Sequence, residues 1–195
     1  MHITSASGRQ SILHIALCLW LLCATCTGMA GEILASRAEY RDGHYLLHLD
    51  MRLPAKPADV YALLVDFKRI PLINSSFKSV EVLKSKDKMH LVRTVAEGCI
   101  WFMCRSIAQL ETVNELSDGY IMSETDPAHS DLTYGRALWH VTAEGKTTRV
   151  QYNADIVPAF WVPPLIGPAL VKSALLRQGQ KTLNGLERLL KKRKD

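Results

Sequence analysis

The sequence predicts an α+β domain: a curved antiparallel sheet of about seven strands wrapped around one long C-terminal helix, with two short helices after the first strand. Three observations carry this. Period-two alternation of apolar and polar residues recurs between Tyr45 and Val157, punctuated by turn residues. A helix-period apolar stripe then fills residues 165–192. The composition is that of a folded chain: 195 residues, 48% hydrophobic, 22% charged, net charge +5, which excludes a disordered or collagen-like protein and fits one domain.

The elements follow in order. Tyr45, Leu47, Leu49, Met51 and Leu53 share one face of a first strand, with His48, Asp50 and Arg52 on the other. Pro54 to Pro57 break it, and Pro57 opens a helix running from Ala58 to Val65. A second short helix is expected around Leu72 to Ser75. Six strands then read as Lys78–Lys84, Lys88–Ala96, Arg105–Glu115, Gly119–Thr125, Tyr134–Ala143 and Thr147–Val157. Turn signals at Ser85-Lys-Asp, Leu116-Ser-Asp-Gly119 and Glu144-Gly-Lys146 make them an antiparallel meander. After the apolar bridge Pro158 to Pro164, Val171, Leu175, Gly179, Thr182, Leu186 and Leu190 recur every three or four residues, with Lys172, Arg177, Lys181 and Arg188 off the stripe. An apolar helix face must be covered, and the sheet is its partner.

Residues 1–30 read as an export signal. Arg9 is their one charged residue, an apolar run follows from Ile12 to Cys23, and Gly28-Met29-Ala30 fits a cleavage site after Ala30. The run falls short of the roughly 20 residues that span a bilayer, although an uncleaved anchor is the alternative. Cleavage leaves a domain over 31–195, periplasmic or secreted, and lowers the net charge from +5 to +4 by removing Arg9. Three of the five cysteines, Cys18, Cys23 and Cys26, go with the signal. Cys99 and Cys104 remain, in an oxidising compartment that favours a bond between them. One straight strand would hold their Cα atoms about 16 Å apart, against the roughly 4.4–6.8 Å a disulfide tolerates. The bond therefore needs a turn or bulge between them; two buried free thiols are the alternative.

Pro57-Ala-Asp-Val-Tyr-Ala-Leu-Leu-Val-Asp66, followed by Ile70-Pro71, resembles the opening stretch of the START-like (SRPBCC, helix-grip) superfamily, which includes polyketide cyclases and coenzyme Q-binding proteins. Phe160-Trp-Val-Pro-Pro-Leu-Ile-Gly167, running into the last helix, is similar to exported bacterial members. The element order agrees over residues 44–190. The resemblance implies a helix-grip fold with an elongated cavity between helix and sheet, suited to an apolar small molecule. Gly179 lies mid-stripe, where a large side chain would seal such a space, and Trp101, Trp139, Tyr152 and Trp161 are candidates for its walls, with Val171, Leu175 and Leu186 on the helix. Each of these residues also has an ordinary reading as core packing.

No nucleophile elbow, zinc helix, phosphate loop or dinucleotide fingerprint is present, so no catalytic, metal or cofactor residue is assigned. His44 and His48 stand about 13 Å apart along one strand, too far to share a metal. His140 and Arg136 fall on a polar strand face, Asp155 points outward, Asp66 reads as a turn residue, and Glu97 and Arg93 are open candidates for polar groups in a cavity. Lys191, Lys192, Arg193 and Lys194 form a basic end that can touch anionic lipid headgroups; nucleic acid is not expected for an exported chain. Asn74-Ser-Ser76 matches a glycosylation sequon. Two function classes stay open: an exported, monomeric binding or carrier protein for a lipid, quinone or similar molecule, and a polyketide cyclase or dehydratase-like enzyme using the same cavity. The lack of a recognisable acid/base pair favours the first.

Overall fold

The computed structural model describes residues 30–100, 103–163 and 165–193. The expected export signal, with Cys18, Cys23 and Cys26, therefore lies outside the described residues except for Ala30; so do Trp101 and Lys194, and the side chain of Cys99.

Eight strands form one sheet: β1 (Glu32–Arg41), β2 (His44–Leu53), β3 (Phe77–Lys86), β4 (Met89–Ile100), β5 (Met103–Glu115), β6 (Tyr120–Thr125), β7 (Leu132–Glu144) and β8 (Thr147–Pro158). Among the described residues three α-helices accompany them: α1 (Pro57–Leu64), α2 (Ile70–Ile73) and α3 (Gly167–Lys192). The spatial order is β1-β2-β8-β7-β6-β5-β4-β3, with antiparallel pairing throughout. The meander from β3 to β8 thus returns to the start of the chain, where β8 pairs with β2.

The sheet has one strand more than the sequence predicts. β1 precedes the first expected strand and joins it through Asp42-Gly43, both at positive φ (51° and 89°). An Asp-Gly pair with this geometry closes a two-residue hairpin whose twist suits the flanking strands. Its edge position explains why it escapes pattern reading. Glu32 to Arg41 is mostly exposed, so nothing imposes alternation on it. The expected turns hold: Asp87 and Asp118 lie at φ 55° and 58°, and Gly119 and Gly145 at 78° and 61°. In β4–β5 the chain reverses after Ile100, so Cys99 and Cys104 are direct Cα partners rather than points on one straight strand.

The helices also need small corrections. Pro57 occupies the first turn of α1, as expected. α2 starts at Ile70 and ends at Ile73, earlier than the sequence suggests, because Pro71 suits a first turn and a 3-10 turn, Phe67–Arg69, leads straight into it. Asn74 closes α2 and is buried, its Nδ2 donating to Thr182 Oγ1 at 3.1 Å and its Oδ1 accepting from Ser76 N at 3.0 Å. A buried, fully engaged Asn74 is no glycan acceptor.

The core lies at one end of the sheet's concave side. Leu49, Met51 and Leu53 of β2, Val150 of β8 and Val141 of β7 meet Val60 and Leu63 of α1 and Leu183, Leu186 and Leu190 of α3. On the opposite face of β2, Asp50 is buried beneath Arg149, whose Nε and Nη2 reach its carboxylate at 3.0 and 2.6 Å. This hydrogen-bonded guanidinium holds the Asp50 carboxyl below the usual carboxylate range.

Candidate functional site

A straight helix laid on a curving sheet touches the rims before the middle. The long α3 behaves this way. Its close approaches to the sheet are to β1 and β2 on one flank and β4 on the other, so it bridges the β8, β7, β6 and β5 strands between them. α1 lies against β7 and β8 and fills one end. The C-terminal half of α3 is correspondingly sealed, with Leu183, Leu186, Leu189 and Leu190 buried. In its N-terminal half Val171, Leu175 and Gln178 are only half-buried. The space under that half is the candidate site.

Register identifies its wall, because directly opposed residues of an antiparallel pair share a face. One row across the concave side runs Leu49, Tyr152, Trp139, Ile121. The next runs Leu47, Ala154, Ala137, Ser123, Val113. In the first, the rings of Trp139 and Tyr152 pack at 4.1 Å between centroids, tilted by 37°. In the second, alanines leave room. Further along, Gly135 stands where a methyl group would overlap Thr125 Oγ1, so the chain needs glycine there to keep that hydroxyl in place.

The wall is not wholly apolar. Glu111 lies opposite Val92 on one side and Thr125 on the other, placing it on the same inward face as Val113. It sits deep in the protein, beside the hydroxyls of Ser123 and Thr94. Burial pushes its carboxyl up, and the two hydroxyls only partly oppose this. Among the described residues no cation pairs with it. Thr94 Oγ1 makes no hydrogen bond of full geometry. Tyr152 is raised as well, by burial first and then by the Glu111 charge, which puts the two groups within electrostatic reach. Gln109 Nε2 donates to Thr125 Oγ1 at 2.8 Å, one step along the same face. Both Glu111 and Tyr152 remain half-buried despite their depth.

A second polar group closes the α1 end. Tyr61 OH donates to Glu115 Oε2 at 2.9 Å, and His90 Nε2 lies 3.1 Å from Glu115 Oε1. Burial and then the Glu115 contact push the Tyr61 phenol up to about 12. These contacts tie α1 to β4 and β5, and read as structural.

The sequence-derived candidates divide. Trp139 and Tyr152 share the wall, and Val171 and Leu175 lie on the half-buried part of α3. Leu186 has no exposed surface and belongs to the packed core, not to open space. Gly179 is buried against Leu49, where an added Cβ would sit 3.0 Å from Leu49 Cδ2. It lets helix and strand approach instead of leaving a gap. Trp161 is 78% exposed and lines no enclosed wall. Arg93 points to the other face, 3.9 Å from Glu81, and Glu97 pairs with Lys78 at 3.0 Å. Asp155 pairs with His44 at 2.7 Å, His140 stacks on Tyr120, and Asp66 pairs with Arg69 at 3.1 Å. Glu111 escaped the sequence reading. Gln109, Glu111 and Glu115 alternate with Leu110 and Thr112, so neither face of β5 is plainly apolar. The usable signal was Val113, two residues on, which had to face inward.

A surface cleft of about 230 Å³ lies beside α3, lined by Ser76, Lys78, Glu97, Ala174, Arg177 and Lys181 among others. It runs between the helix and the β3–β4 edge and carries the charged side chains of Lys78, Glu97, Arg177 and Lys181, unlike the wall beneath.

Comparison with known proteins agrees with this architecture. Among curated proteins none matches the sequence. Of solved structures, protein TTHA0849 from Thermus thermophilus is 19% identical with a TM-score of 0.65, over 77% of this chain and 99% of that one. The Zhui aromatase/cyclase from Streptomyces sp. R1128 is 13% identical with a TM-score of 0.66, over 78% and 96%. A STAR-related lipid transfer protein from Xanthomonas axonopodis is 16% identical with a TM-score of 0.55, over 80% and 98%. These likenesses establish the START-like fold. The profile of one family matches residues 47–191, from the first core strand to the end of α3, and on that match the chain belongs to the polyketide cyclase/dehydrase and lipid transport family.

Proposed function

We propose that the protein is an exported carrier that holds a hydrophobic small molecule, a lipid, quinone or similar, between α3 and the concave side of the sheet. The observation that carries this reading is that α3 meets β1 and β2 on one flank and β4 on the other while Val171 and Leu175 in its N-terminal half stay half-buried, on the side of the sheet that carries Trp139, Tyr152 and Ala137. An apolar wall with a few polar groups is what a small-molecule site requires. The family and the fold neighbours include both cyclases and lipid-transfer proteins, so they fit a hydrophobic ligand without choosing between the two.

Three finer points belong to the same proposal. Export rests on the N-terminal sequence, with cleavage near Ala30 and residence in the periplasm or outside the cell. A Cys99–Cys104 bond at the β4–β5 turn is supported by their direct register. The basic end of α3, Lys191, Lys192 and Arg193 with Lys194 beyond, offers peripheral contact with anionic headgroups, although Lys191 already pairs with Glu187 at 2.8 Å. No helix among the described residues is long and apolar enough to cross a membrane.

Native mass spectrometry of protein purified from the cell envelope, followed by solvent extraction, tests the reading. A stoichiometric apolar molecule leaving with the protein is the expected result. Protein that carries nothing and takes up no lipophilic dye overturns it.

A further inference from the structure

The carrier wall contains a carboxyl group that packing alone does not explain. Glu111 lies on the inward face of β5, between Val92 of β4 and Thr125 of β6 in register. Its polar neighbours are Ser123 and Thr94, and Tyr152 stands within reach of its charge. A buried carboxylate is normally matched by a cation or by several backbone donors. Here its polar neighbours are hydroxyls, and its register places it on the face of the sheet turned toward α3. We propose that the Glu111 carboxyl is the polar anchor of the site, hydrogen-bonding a neutral oxygen, carbonyl or hydroxyl, on an otherwise apolar ligand.

The inference rests on the carrier reading above and deepens it by choosing a ligand class. Burial pushes this carboxyl up, so it holds a proton more readily here than in water. A protonated carboxyl donates one hydrogen bond and still accepts others. It therefore suits a ligand oxygen that accepts, a hydroxyl that does both, or a quinone carbonyl. It disfavours a carboxylate or phosphate at the same place, because that charge would be buried with no cation among the described residues to offset it. The pure hydrocarbon part would lie along Trp139, Ala137 and Ala154.

The test compares three ligands of equal chain length, hexadecane, 1-hexadecanol and palmitate, displacing the neutral dye N-phenyl-1-naphthylamine from the protein. The wild type should prefer the alcohol to the alkane by about tenfold, the equivalent of one net hydrogen bond. Palmitate should bind more weakly than the alcohol. Glu111→Leu should abolish the alcohol preference while leaving hexadecane affinity the same or greater. Glu111→Gln, which keeps shape and a donor, should retain part of the preference and serves where the Leu variant does not fold. Dye and alkane binding with an alcohol preference that survives both substitutions overturns this inference alone. So does tighter binding of palmitate by the wild type than by Glu111→Gln. Failure of the wild type to bind the dye or any of the three overturns the carrier reading itself, and this anchor with it.

Discussion

Gly185 of α3 and Ile73 of α2 are in backbone contact: a methyl group on Gly185 would overlap the Ile73 carbonyl oxygen. Nothing flexible stands in the way that could rotate aside, since the obstacle is main chain. Gly185→Ala should therefore destabilise the fold by about 3 kcal/mol or more, despite the better helix propensity of alanine. Gly179→Ala is the contrast. There the neighbour is the end of the Leu49 side chain at 3.0 Å, which can turn, so the change should stay within about 1 kcal/mol of neutral. Urea denaturation of both variants measures this. Equal losses would mean that helix and sheet, not α2, set the position of α3.

Glu111 predicts a pH dependence of stability. Its folded-state carboxyl is raised above the unfolded value of 4.5. A raised acid holds its proton better when folded, so the cost of burying it is absent at low pH and grows as pH climbs past 4.5. Relative to wild type, Glu111→Gln should gain stability between pH 4 and pH 8. Denaturation midpoints at the two pH values check this. Parallel curves would show that the group is not buried as described.

Asp50 predicts the reverse. Arg149 lowers its carboxyl below 3.8, so its contribution is present at neutral pH and is lost as pH falls beneath that value. The Arg149 side chain is 42% exposed, and screening limits the pair, so Asp50→Asn should cost about 1 kcal/mol at pH 7. The difference from wild type should shrink towards pH 2, measured by thermal unfolding. A gap of constant size across that range would contradict the assignment.

The Cys99–Cys104 bond is tested by thiol labelling of unfolded, unreduced protein from the envelope. No free cysteine is expected in the mature chain. Two labelled thiols would remove the bond from the proposal.

Where pattern and burial coincide, the fold was readable in advance. β2 announces itself because Tyr45 to Leu53 alternates between core and cover. β7 and β8 do so because Trp139 and Val141 face Tyr152 and Val150 across the ladder. β1 was hidden because an edge strand with exposed residues carries no alternation, although Asp42-Gly43 marked its turn. The site was less legible for a physical reason. Whether an inward residue lines a gap or fills a core depends on how far α3 stands from the sheet, and that distance is a property of curvature. Leu186 and Leu175 lie on one stripe, yet the first is sealed and the second half-open. Glu111 needed three-dimensional context for the same reason: β5 alternates polar residues on both faces, and only its neighbours reveal which face is inside.

The uneven seating of α3 has a mechanical consequence. Its C-terminal turns are clamped by Gly185, Leu186, Leu189 and Leu190, whereas Val171 and Leu175 are only half-buried. Such a helix is a cantilever, with displacement growing away from the clamp. Amide hydrogen exchange should accordingly slow along it, fastest near Leu170 and slowest near Leu186. Uniform protection from end to end would argue against this. A cantilever can lift at its free end and settle again without the fold coming apart, so firm anchorage and freedom to move belong to opposite ends of a single spring.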